Sequence, residues 1–249
     1  MVVWLALLFG LVALAYASVG FGGGSTYNAL LAISGAQYHY IPIIALVCNI
    51  VVVTGGTVRY GLAGKYEWRR MLPLVAIAAP AAFMGGLTPI NESFFYLLLG
   101  SALLFSAAAM LIPTDKLSRR ELPVPVLLGL SGIIGFVAGL SGIGGGIFIA
   151  PFLHLVRWAE AQRVAAFASF FILVNSVAGL GGQLAKSGIS QAAEPFGEYW
   201  PLLLAVLIGG QVGGVIGLKL FNAALLRNLT AILVAYVALR LLWQGGIAM

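Results

Sequence analysis

Long uncharged apolar tracts alternate with short polar segments along the chain. Lys, Arg, Asp and Glu are all absent from residues 1–58, 71–91, 93–114, 122–156, 164–185 and 199–218, and residues 228–249 hold only Arg240. A helix crosses the hydrocarbon layer with about 20 apolar residues, so 71–91, 93–114, 164–185 and 199–218 fit one crossing each. Leu, Ala, Val, Ile and Gly follow no two-residue alternation in them, which argues against a barrel. Tracts 1–58 and 122–156 are too long for a single pass. The pattern predicts spans near 41–58, 71–88, 93–112, 164–185, 199–218 and 223–243, with two longer Gly-interrupted segments, 2–33 and 124–156. Ala15-Tyr16-Ala17 has the small residues of a signal cleavage site. With no Lys or Arg ahead of it, and with a counterpart later in the chain, the segment is expected to be retained.

The two halves of the chain echo one another. Gly20-Phe21-Gly22-Gly23-Gly24 matches Gly142-Ile143-Gly144-Gly145-Gly146, Asn49 with Gly55-Gly56 matches Asn175 with Gly181-Gly182, and Pro73 with Gly85-Gly86 matches Pro201 with Gly213-Gly214. The offset grows from 122 to 126 to 128, as loop insertions would make it. One repeat is expected over 1–112 and a second over 124–249, joined by a polar cytoplasmic linker at 113–123. The predicted fold class is an all-α polytopic membrane protein of two homologous repeats. Each repeat is a Gly-broken segment plus three transmembrane helices.

The long segments either cross the bilayer or fold back on themselves, and basic residues weigh the two. Returning segments put eleven of the 13 Lys and Arg on one side and leave Lys186 and Arg240 on the other; crossing segments give nine against four. The returning, re-entrant arrangement is favoured. It leaves three crossings per half, so the second repeat is inverted relative to the first, an architecture common among secondary transporters.

Composition narrows the class further. Of 249 residues, 61% are hydrophobic and 8% charged, against about a quarter charged in soluble domains. The net charge of +6 sits on islands between apolar tracts, without the solvated basic patch that nucleic acid requires. One cysteine, Cys48, excludes a disulfide scaffold.

Candidate chemistry gathers at the glycine triplets. Three glycines cost a helix about 1 kcal/mol each against Ala, so 22–24 and 144–146 are expected breaks. The half-helix that follows each break presents free amides and a partial positive charge inside the protein, which suits an anion. The candidate substrate-binding residues are Gly22, Gly23, Gly24, Ser25, Thr26, Asn49, Ser141, Gly144, Gly145, Gly146 and Asn175. Gln211 is a further neutral donor. The alternative roles are close helix packing for the glycines and interhelical hydrogen bonds for the asparagines; Gly209, Gly213 and Gly217 read as packing surfaces. No ionisable side chain is placed near the middle of a predicted span, so neutral groups would hold the ligand. No catalytic residue, cofactor or metal site is expected. The expected partners are a small anionic substrate, the lipid bilayer and further copies of the chain in a homo-oligomer.

The duplicated GxGGG segments, the second extended by Pro151 and Leu153, are similar to the TauE/SafE sulfite exporter family, also described as toluene sulfonate uptake permeases. The resemblance covers nearly the whole chain. It implies a secondary transporter of small sulfur-containing anions such as sulfite or organosulfonates, working by alternating access in a cell membrane, the bacterial inner membrane. Ala29 stands where the second half has Pro151, and Pro42 where it has Ala168, so the half-sites are expected to be unequal. Two other readings remain. A membrane accessory or assembly factor would act through lateral helix contacts. Gly139-Leu140-Ser141-Gly142 matches the GxSG of rhomboid intramembrane proteases, but such a serine needs a histidine base and none follows His154.

Overall fold

A computed structural model describes residues 2–111, 123–155, 158–216, 232, 235–243 and 245. The helices are α1 Val2–Ala17, α2 Gly24–Ile33, α3 Ile41–Leu62, α4 Trp68–Leu87, α5 Glu92–Leu111, α6 Val124–Ser141, α7 Gly146–Leu155, α8 Ala161–Ser187, α9 Ile189–Ala193 and α10 Phe196–Ile216. Residues 235–243 are also helical, and among the described residues there is no strand. Most of the linker 113–123 and the first part of the last expected span lie outside the described residues, as do Gly217 and the side chain of His154.

Among the described residues five helices, α3, α4, α6, α8 and α10, are long and apolar enough to cross a membrane. Large apolar side chains such as Trp4, Leu11, Ile133, Ile208 and Val215 point outward, where only lipid can cover so much apolar surface. The protein is an all-helical, multi-pass membrane protein.

Lipid gives apolar helices no hydrophobic reason to associate, so small residues must let backbones approach. The glycines do this here. A Cβ on Gly139 would stand 1.9 Å from the Ala82 carbonyl oxygen, one on Gly135 2.3 Å from that of Ala78, and one on Gly85 2.0 Å from that of Phe136. On the opposite side of the bundle, a Cβ on Gly209 or Gly213 would stand 2.1 Å from the carbonyl oxygen of Gly10 or Leu14 respectively. The pairs Gly85–Phe136 and Gly213–Leu14 differ by the sequence offsets themselves, 128 and 122. Gly132 against Ile77 and Gly10 against Ala205 are related in the same way.

These contacts also fix helix directions. Residues 10 and 14 of α1 meet 209 and 213 of α10, while 52, 55 and 59 of α3 meet 210, 211 and 214. Helices α1, α3 and α10 therefore run parallel. Residues 135 and 139 of α6 meet 78 and 82 of α4, and 82 and 86 of α4 meet 179 and 183 of α8. Helices α4, α6 and α8 run parallel to one another. Helix α3 meets α8 head to tail, with Leu46 beside Gly179 and Gly56 beside Ser169. Helices α1, α3 and α10 thus point opposite to α4, α6 and α8.

The two ends of the bundle differ in polarity. Arg59, Lys65, Arg69, Arg70 and Arg163 gather at one end. There Glu67 bridges Arg70 at 3.2 Å and also pairs with Arg163, and Arg70 stacks over the Trp158 ring at 4.8 Å. Tyr66 donates to the Thr57 carbonyl at 2.7 Å, and burial pushes its hydroxyl up to about 12. The opposite end carries His39, Lys186, Glu194 and Glu198. A hydrogen bond to Glu194 raises the Tyr40 hydroxyl above its ordinary value.

Candidate functional site

Each long segment is interrupted at its glycines. Helix α1 is about 24 Å long at 1.5 Å per residue, and α2 begins at Gly24 with Gly23 as its N-cap at φ 86°. That left-handed conformation suits glycine alone. In the second half Gly142 ends α6 at φ 80°, and Gly144 and Gly145 follow at φ 82° and 84° before α7. Neither α2 nor α7 can satisfy its first amide groups internally, and α2 has no side-chain cap. Two helix N-termini with free donors therefore open inside the protein.

Asn49, in the middle of α3, joins the two breaks. Its side-chain amide donates to the Ile143 carbonyl at 3.1 Å and lies 3.5 Å from that of Gly142. A Cβ on Gly22 would be 2.5 Å from Asn49 Oδ1, and one on Gly24 would be 2.4 Å from Asn49 Nδ2 and 2.5 Å from the Ile143 oxygen. One on Gly144 would be 2.8 Å from Asn49 Nδ2 and 3.0 Å from Ser176 Oγ. Glycine is needed at 22, 24 and 144 because this asparagine occupies the space a side chain would take. Asn28, one turn into α2, adds a second tie by donating to the Ser141 carbonyl at 2.7 Å.

The remaining candidates fall into two groups. Several are committed to neighbours. Thr26 Oγ1 lies 3.0 Å from the Tyr16 hydroxyl, and Ser141 Oγ donates to the Val137 carbonyl at 2.6 Å, within its own helix. A Cβ on Gly145 would stand 3.1 Å from Ile134 and from Phe171, and one on Gly146 2.2 Å from Ile172. Others are buried without a hydrogen-bond partner: Ser25 Oγ, Asn49 Oδ1, and both polar atoms of the fully buried Asn175. Buried polar groups are normally paired, because an unmade hydrogen bond costs about 1–3 kcal/mol. This set is therefore where a polar ligand gains most. No hydrogen bond links Asn175 to either break, whereas Asn49 donates to the second break and lies against the glycines of the first.

Sequence reasoning missed Asn28 and Ser176, both buried polar residues with unpartnered oxygens. Their counterparts at the repeat offsets are Ala150 and Ile50, so a search for repeat-paired residues passes over them. The usable signal was an isolated amide or hydroxyl within an apolar tract. Gln211 accepts from Arg59 at 3.2 Å and lies at the basic end, away from the breaks. Cys48 is fully buried beside Asn49. Among the described residues no cluster of His, Cys, Asp or Glu is arranged to hold a metal ion.

Comparison with known proteins gives a consistent result. The sulfite exporter TauE/SafE family matches residues 5–241. A probable membrane transporter protein of Sinorhizobium fredii is 34% identical over 245 residues, covering 96% of this chain and 97% of that protein. A probable membrane transporter protein of Haemophilus influenzae is 26% identical over 109 residues, 42% of this chain and 41% of that one. One of Methanocaldococcus jannaschii is 28% identical over 127 residues, 49% and 47% of the two chains. No solved structure matches.

Proposed function

The chain belongs to the TauE/SafE sulfite exporter family, and from that premise we propose that it is a secondary transporter of small sulfur-containing anions such as sulfite or organosulfonates. One observation carries the reading: the N-termini of α2 and α7 open at a single place, joined by Asn49. Two half-helix N-termini supply amides and partial positive charge without any buried cation. Such a site holds an anion by neutral donors and releases it as easily, which a carrier requires. Ser25, Asn175 and Ser176 add uncommitted hydroxyl and amide groups.

The same geometry supports alternating access. Parallel α1 and α3 need a return between them, and α2 supplies it; α7 does the same between parallel α6 and α8. This supports re-entrant segments and inverted halves, with the basic end cytoplasmic by the distribution of Lys and Arg. Rocking one half against the other would open the shared break to each side in turn.

Uptake of ³⁵S-sulfite and of methanesulfonate into proteoliposomes tests the reading. Saturable flux is expected. Flux that survives replacement of both Gly23 and Gly145 by Leu would remove the proposed site, and no flux of either anion would remove the transporter reading.

A further inference from the structure

We propose that a cavity at the sparsely charged end is an antechamber for the anion, with Lys186 as its electrostatic lure and Pro42 and Leu140 as the partition before the second glycine break. The proposal rests on the transporter reading above. The cavity has a volume of about 190 Å³ and is lined by Tyr38, His39, Pro42, Leu140, Gln183 and Lys186, among others. Lys186 is the one Lys or Arg among its described lining residues, and no carboxylate is among them. Glu92, Glu194 and Glu198 lie at the same end but outside the lining, Glu92 engaged by the Tyr96 hydroxyl and Glu194 by that of Tyr40.

The cavity leads toward the site. A Cβ on Gly142 would stand 2.4 Å from Pro42 Cα, and Leu140 is two residues before that glycine in the last turn of α6. Pro42 and Leu140 thus line the cavity on the side of Gly142. Gln183 anchors the wall by donating to the Gly139 carbonyl at 3.2 Å, which places Lys186, less than one turn further along α8, at the rim. At the basic end the described residues of the two halves are joined by side-chain contacts. There Thr57 meets Ser169 at 3.2 Å, Arg59 donates to Gln211 at 3.2 Å, and Glu67 pairs with Arg163. A cation in a cleft with low-dielectric walls and no carboxylate among its described lining residues raises the local anion concentration, an effect that salt screens. Pro42 has no counterpart in the second half, where Ala168 stands. The partition thus belongs to this end alone.

The test reads local potential and transport separately. His39→Cys places a thiol in the cavity wall, while native Cys48 is fully buried and silent. Labelling rates are compared for anionic sulfonatoethyl methanethiosulfonate and its cationic trimethylammonium analogue. The anionic reagent is favoured while Lys186 is present. Lys186→Gln lowers the anion-to-cation rate ratio by about fivefold, Lys186→Arg preserves it, and 1 M salt abolishes the difference, as expected for a screened field of one charge. In proteoliposomes Lys186→Gln raises the KM for sulfite by about the same factor and leaves kcat in place. An equal labelling ratio with and without Lys186 overturns the antechamber even where wild-type flux is intact. Absent wild-type flux overturns the transporter reading instead, and the labelling ratio still reports on Lys186.

Discussion

The Asn49 side-chain amide donates to the Ile143 carbonyl oxygen at 3.1 Å, so α3 of one half holds the broken segment of the other. Asn49→Ala removes the donor and leaves a buried carbonyl unpaired, at a cost of about 1–3 kcal/mol. Asn49→Asp also sets an acceptor against that carbonyl. Both variants are expected to melt earlier in detergent, and Asn49→Asp to lose at least about tenfold in anion flux, a loss of about 1.4 kcal/mol in transition-state or binding free energy. Unchanged melting in both would mean that the two breaks do not depend on this hydrogen bond.

Asn175 presents the converse case. It is fully buried, and neither polar atom has a partner. Replacing an unpaired buried amide by an apolar group of similar size relieves a desolvation cost. Asn175→Leu should therefore hold or raise the melting temperature while sulfite flux falls. Stability and function moving in opposite directions identifies a ligand group. A parallel fall of both would assign Asn175 to packing.

Glycines separate in the same way. Alanine at Gly24 would bring a methyl within 2.5 Å of a backbone oxygen and of the Asn49 amide, whereas Gly129 has nothing within 4 Å of its Cβ position. Gly129→Ala is expected to be neutral or stabilising by up to about 1 kcal/mol through helix propensity. Gly24→Ala should lower both yield and flux. Equal thermal behaviour of the two variants would show that the break is looser than these distances imply.

The alternation of charged and apolar segments made most of the fold legible. The spans expected over 41–58, 71–88 and 164–185 are α3, α4 and α8 with ends moved by a few residues, because hydropathy is set by the lipid and little else. Both glycine triplets fall at helix breaks for an equally local reason, the cost of glycine within a helix and its tolerance of positive φ. The site was less legible. Whether Asn49 is a ligand or a clamp depends on which carbonyl stands opposite it, across 94 residues of chain, and no local pattern encodes that. Asn28 and Gln183 escaped notice because their partners, the carbonyls of Ser141 and Gly139, lie on a helix of the other half or on a neighbouring helix.

Tyr66 gives a pH signature at the basic end. Burial raises its folded-state value from 10.0 to about 12, so the fold favours the neutral phenol. The associated stability is complete below pH 10 and is lost as pH rises through about 12. Tyr66→Phe should flatten the decline in melting temperature across that window, and absorbance at 295 nm should lose one component titrating near 12. An unchanged alkaline slope would place Tyr66 in contact with water.

Glu67 and Arg163 form an ion pair, which requires residues 63–67 and 158–163 to lie at the same end of the bundle. Tyr40 and Glu194 are joined at the other end. If both long segments crossed the bilayer, each of these pairs would be split between opposite faces. Single cysteines decide the matter with a membrane-impermeant thiol reagent applied to intact cells. Cysteine at Lys65 and at Glu160 should share one accessibility, and cysteine at His39 and Gln191 should share the opposite one. With the basic end inside, the first pair is protected and the second labelled. The exposed ion pair itself is worth no more than about 1 kcal/mol, so exchanging its charges by Glu67→Arg with Arg163→Glu should leave the protein folded and keep the pattern. Opposite accessibility at Lys65 and Glu160 would overturn the re-entrant arrangement, and the inverted relation of the halves with it.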